Sequence, residues 1–282
     1  MSPAFGADLL DIRAMLSREM GSKNSDVRGN DALISKVPRV TLAFWGVKLL
    51  ATTVGETGGD ALSMTLGLGY AVASIVYIAF FAITVAIQVS SKRYHPFAYW
   101  AVVVATTTVG TTMSDYLDRT IGLGYIKSSI ALFCGVLVVL LVWRRVMGRI
   151  EFENITTKRE ELFYWLTILV SNTLGTALGD FVASDTGVGF ERGALVFAGL
   201  LAIVAAAHFW LKKLPASALF WAAYVLTRPL GATLGDTLTK PLAEGGLALG
   251  RILSSVILAA LMIMGIVLWD RHERRDRGSD SS

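Results

Sequence analysis

The chain has 282 residues, of which 54% are hydrophobic and 17% charged, with a mean hydropathy of +0.57 and a formal net charge of +4. Soluble proteins carry about 25% charged residues, whereas here the apolar residues gather into runs of about 20, enough for a helix to cross a hydrocarbon layer of ~30 Å. A soluble enzyme domain is excluded, and so is a disulfide scaffold, because the single cysteine, Cys134, lies inside an apolar run.

Residues 1–39 carry six basic residues and no continuous apolar core, so they read as a cytoplasmic tail rather than a signal peptide. Within that tail Leu9, Leu10, Ile12, Met15 and Leu16 could line one face of a short surface helix. Apolar runs follow at 41–65, 70–90, 98–119, 125–143, 162–183, 191–211, 216–240 and 249–269. They predict an all-α polytopic membrane protein of eight transmembrane helices. The basic residues crowd into the stretches between these runs, the pattern of a membrane protein rather than of a nucleic-acid surface.

The odd-numbered runs repeat one another. Each has an aromatic-Trp pair (Trp45, Trp100, Trp165, Trp221), a glycine ten residues on (Gly55, Gly110, Gly175, Gly231) and an aspartate fifteen residues on (Asp60, Asp115, Asp180, Asp236). The first three copies close on a Gly-Leu/Val-Gly-aromatic turn ending at Tyr70, Tyr125 and Phe190, and the fourth drifts into a longer loop at Glu244. The chain therefore divides into the tail 1–39, repeats at 40–93, 94–146, 147–213 (with a preceding cytoplasmic loop) and 214–269, and a cytoplasmic tail at 270–282. Nineteen basic residues fall on the side of the termini and five in the odd-to-even turns, which predicts both termini in the cytoplasm of a bacterial inner-membrane protein. Two helices per repeat make all four copies parallel, so that equivalent residues share a depth.

Counting back from each aspartate in fours gives one helical face: Asp60, Glu56, Thr52; Asp115, Thr111, Thr107; Asp180, Thr176, Asn172; and Asp236, Ala232, Arg228. Such a polar stripe is unfavourable against lipid and is expected to face the protein interior or a hydrated path. Small residues four apart, such as Gly55/Gly59 and Gly175/Gly179, predict four odd helices packed closely inside and the even helices around them. The carboxylate, hydroxyl and amide oxygens suit a hard cation, with Glu56, Asp60, Asp115, Asp180 and Asp236 as candidate metal ligands. Glu56 and Asp60, at i and i+4, are the favoured pair. The remaining face residues, Thr52, Thr107, Thr111, Asn172, Thr176 and Arg228, are candidates for lining an ion or solute path. Arg228 reads as a countercharge able to reach an aspartate of any repeat, and Lys48 as a side chain that snorkels to the cytoplasmic surface. The tryptophans read as interfacial anchors rather than ligand contacts, and in the alternative to an ion path the aspartates cap helices broken at the glycines.

The FW/YW…G…(G/S)D…GLGY pattern over residues 40 to 270 resembles a bacterial membrane-protein family of four tandem two-helix repeats, each with a characteristic tryptophan, long labelled as of unknown function. The resemblance implies that architecture and an association with metal-cation efflux and metal tolerance, manganese among the candidates. The expected function is a secondary transporter exporting a hard divalent cation. The alternatives are a proton-coupled carrier of a small organic solute and a non-transporting membrane scaffold. An enzyme is not expected, because no nucleophile-base pair or metal-binding His motif is present. No cofactor is expected. Its partners would be a metal cation or small solute and the lipid bilayer, with no nucleic acid; a homo-oligomer is compatible with this reading.

Overall fold

Glycine and threonine are weak helix formers, yet the Thr-rich odd segments fold as long helices, in which the buried hydroxyls are satisfied by the helix's own carbonyls. Thr52 donates to the Leu49 carbonyl at 2.8 Å and Thr106 to that of Val103 at 2.7 Å. The computed structural model describes residues 36–91, 94–150, 155–211 and 214–279, with side chains through residue 272. The surface helix expected near Leu9 lies outside these residues. Among the described residues the fold is all-α, with α1 (Leu42–Asp60), α2 (Gly69–Ser90), α3 (Pro96–Asp115), α4 (Tyr125–Met147), α5 (Lys158–Asp180), α6 (Phe190–Trp210), α7 (Ala216–Thr239) and α8 (Arg251–Ser279). The stretch from Asp270, expected as a solvated tail, continues α8 through Ser279.

Helix ends follow local chemistry. Thr41 caps α1, Pro96 opens α3, and Thr157 with Glu160 forms a reciprocal capping box on α5. In the first three repeats the helix does not end at its aspartate. It continues through a five-residue π-helical turn (Ala61–Thr65, Tyr116–Thr120, Phe181–Asp185) whose carbonyls accept from the fifth residue on. None of the three aspartates caps that turn with its side chain, contrary to the capping alternative. Two glycines then reverse the chain, each with φ between +70° and +82°: Gly67/Gly69, Gly122/Gly124 and Gly187/Gly189.

The odd helices α1, α3, α5 and α7 form a closed ring in that order, with α7 packed back on α1. Each even helix lies outside, against the odd helix that follows it: α2 on α3, α4 on α5 and α6 on α7, and α8 completes the cycle on α1. Every junction of the inner ring is a glycine of one repeat seated on the polar face of the next. A Cβ on Gly59 would lie 2.8 Å from Thr111, on Gly110 3.0 Å from the Asn172 backbone, on Gly175 2.6 Å from Arg228, and on Gly235 2.8 Å from Glu56. Thr107 and Thr111 also donate across the α1–α3 junction to the carbonyls of Ala51 and Gly55 at 3.2 and 3.1 Å, an approach that only glycine-bearing helices allow.

Among the described residues, five helices are long and apolar enough to cross a membrane: α2, α4, α6, α8 and α5 with its π turn. In the apolar stretches of the four outer helices 17–22% of residues are buried, against 67% in α5. The molecule thus turns its apolar residues outward and its hydroxyls and charges inward, the arrangement suited to lipid.

Candidate ion site in the helical ring

Reading from the tryptophans, successive turns of the four inner helices stack as layers. The first is aromatic: Phe44, Tyr99, Tyr164 and Phe220, with Tyr99 and Tyr164 joined hydroxyl to hydroxyl at 2.7 Å. Trp100 and Trp165 are buried beside them rather than serving as interfacial anchors, and Trp269 of α8 reaches Phe44 and Trp100. One turn on come Lys48, Val103, Ile168 and Tyr224, then Thr52, Thr107, Asn172 and Arg228, all fully inaccessible. Glu56, Thr111, Thr176 and Ala232 follow, and then the four aspartates, Asp60, Asp115, Asp180 and Asp236, all buried. Every residue read as site-forming therefore lies in the ring interior.

The carboxylates do not form one uniform layer. Oxygens of Glu56, Asp60 and Asp236 lie within 4.8 Å of one another, a set drawn from α1 and α7 at the junction that closes the ring. Asp115 and Asp180 converge instead on Arg119, at 3.0 and 3.7 Å. Lys240 lies 3.4 Å from Asp236 and 3.9 Å from Asp60, and Arg251 3.3 Å from Asp60. These three cations sit over the Asp end of the bundle and are among the five basic residues of the odd-to-even turns. Arg119 and Lys240 occupy the same place in their repeats, four residues beyond an aspartate, and that spacing is the signal that finds them.

Arg228 is a buried countercharge, as its place on the polar face implies, but its partner is Glu56 rather than an aspartate. Its guanidinium donates to Glu56 Oε2 at 2.9 Å and to Thr111 Oγ1 at 2.6 Å, the latter on α3, diagonally across the ring. The arginine thus crosses the axis one turn below the aspartates. The four basic groups Arg119, Arg228, Lys240 and Arg251 stand against five carboxylates, so the cluster is one charge short of neutral. Lys48 does not snorkel outward; it is fully buried, with Nζ 4.2 Å from the centroid of the Tyr224 ring. It lies on the face of α1 turned into the ring, beside Tyr224 of α7, which leaves the ammonium no route to the surface.

The glycine-sealed ring, its apolar sleeve and its ion-paired core define a helical repeat protein with membrane-spanning capability. The chain belongs to the family described as Repeat of Unknown Function (DUF347), whose profile matches four times in tandem, at residues 43–94, 98–149, 163–213 and 219–275. This is the four-repeat architecture that the motif implies. No curated protein and no solved structure matches the chain.

Proposed function

We propose that the protein is a secondary carrier of a hard divalent cation, with all eight helices crossing a bacterial inner membrane as four parallel repeats. The observation that supports this most is the convergence of Glu56, Asp60 and Asp236 on a buried site at the α1–α7 junction. Three carboxylates there supply the oxygens that magnesium, manganese or calcium take as ligands. The basic residues of the loops favour the Trp end in the cytoplasm and the Asp end outside.

Lys240 and Arg251 occupy the same carboxylates from the outer side, while the Arg228–Glu56 pair closes the inner side. A cation arriving among these oxygens displaces basic groups of similar total charge. Binding and release of the outer ion pairs then form one exchange, and the buried layer never carries its full negative charge unpaired. No nucleotide-binding loop is present in the sequence, so an ion gradient is the driving force assigned, and the protein acts as a carrier rather than an enzyme.

The test is flux of manganese, magnesium and calcium into proteoliposomes holding a metal-sensing dye. Asp60→Asn and Asp236→Asn are expected to lose at least about tenfold in rate, equivalent to 1.4 kcal/mol. Asp185→Asn, on an exposed turn, keeps it. Equal flux in all three variants, from folded protein, overturns the assignment. Absence of metal flux in the wild type, with an organic solute carried instead, does the same.

A further inference from the structure

We infer that the Trp half of the bundle holds a site for a small monovalent anion, formed by Lys48 of α1 with Tyr224 and Arg228 of α7. The inference does not depend on transport and uses none of the aspartates; it shares with the cation reading only the Arg228–Glu56 pair.

Lys48 and Tyr224 occupy the same layer on adjacent helices, and Arg228 lies one turn further along α7. All three are fully inaccessible. Lys48 Nζ, the Tyr224 hydroxyl and Arg228 Nε and Nη1 make no hydrogen bond to any described residue. An ammonium and a guanidinium can only donate. In these two layers the side-chain acceptors without a hydrogen bond are Asn172 Oδ1, whose Nδ2 is committed to Thr106 Oγ1 at 2.9 Å, and the Tyr224 hydroxyl, which can also donate; both are outnumbered by the free N–H groups of Lys48 and Arg228. The surplus is therefore one of donors and of positive charge, and its complement is an acceptor that carries negative charge.

The charge of that ligand follows from the pairing already made. Lys48 offsets the one excess carboxylate of the core as a whole, but that charge lies in the aspartate layer about three turns away. Glu56 is taken by Arg228, and no carboxylate of the described residues pairs with Lys48, so a single negative charge beside it is the local complement. The rest of the Lys48 layer is apolar, Val103 and Ile168, and the aromatic layer lies one turn below. No protein carboxylate shares the layer with Lys48. The ligand is small because the helices meet closely on either side, at Gly231 against Thr52 and at Gly175 against Arg228. A halide or a formate-sized carboxylate meets these terms; a long organic anion does not.

The experiment uses the full chain in detergent, with thermal unfolding followed in sodium bromide, sodium formate and sodium gluconate at one ionic strength. Bromide and formate are expected to raise Tm saturably, as a ligand of the folded state does. Gluconate, too large for the layer, leaves Tm unchanged. Lys48→Met removes the bromide response, and Tyr224→Phe, which keeps the charge and the ring, weakens apparent affinity about tenfold, the fold-change for one charge-assisted hydrogen bond. Anomalous scattering from a bromide-soaked crystal places the ion beside Lys48 Nζ. Identical Tm in all three salts, or a bromide response that survives both substitutions, overturns the proposal. If Lys48→Met fails to fold, Tyr224→Phe and the bromide position decide the matter.

Discussion

Arg228 spends one nitrogen on two acceptors, Glu56 of α1 and Thr111 of α3, and so ties three of the four inner helices at a single point. A buried pair of this kind is worth little against an apolar replacement but a great deal against half of itself, since removing one partner strands the other's charge. Arg228→Met is accordingly expected to destabilise the protein by about 3–5 kcal/mol, the usual cost of an uncompensated buried charge. Arg228→Met combined with Glu56→Gln is expected to recover most of that loss. Chemical denaturation of the two variants in the same detergent checks the pair: a double variant no more stable than the single one rules out charge stranding as the cause. The Asp118 side chain shows the milder version of the same rule, satisfied by hydrogen bonds from the hydroxyls of Ser114 and Ser128.

At the scale of a helix, the ring depends on glycines that are not interchangeable. Gly231 rests on Thr52, where a methyl group would collide with both side chain and backbone, whereas a Cβ on Gly46 would meet nothing within 4 Å. Gly231→Ala is expected to lower Tm and disrupt the α7–α1 junction, while Gly46→Ala leaves Tm unchanged or raises it slightly through helix propensity. Equal melting of both variants would mean that the junction tolerates a shift of the helices. That the inner helices approach closely at these glycines was legible from small residues four apart; that the glycine ten residues after one tryptophan meets the residue seven after the next is a finding of the structure. Other features were not legible. Spacing within a repeat says nothing of which outer helix covers which inner one, so the packing of α2 on α3 rather than on α1 needed coordinates. Hydropathy placed Arg119, Lys240 and Arg251 in turns, although two of them stand one helical turn from an aspartate on its own face. The spacing from Trp45 assigns Lys48 to the surface, and its burial follows from its place on the face of α1 that turns into the ring, against Tyr224 of α7.

At the scale of the whole molecule, four similar units have become unequal where it matters chemically. Repeats 2 and 3 contribute Thr111, Thr176 and two aspartates that share one arginine, whereas repeats 1 and 4 concentrate Glu56, Asp60, Asp236 and Arg228 at their junction. A symmetric ring of four would place every carboxylate alike around the axis, with like charges facing one another in a region of low dielectric. Divergence of the first and last repeats divides that repulsion into a three-carboxylate cluster and an arginine-bridged pair. The four-repeat pattern made the ring recognisable, and the departures from the pattern at Glu56, Arg228 and Lys48 locate its chemistry.

The seating of α8 on α1, with Trp269 against Phe44 at 6.4 Å, makes the order of units along the chain a convention of translation rather than a demand of packing. The last outer helix stands to the first inner helix as α2 stands to α3, so the sequence reads in space as a loop with an arbitrary seam. A circularly permuted chain, begun at α3 and finished at α2 with a short linker from α8 to α1, is expected to assemble into the same ring and to elute and melt as the parent does. A permutant that expresses but aggregates would show that the seam is fixed by the order in which the helices enter the membrane.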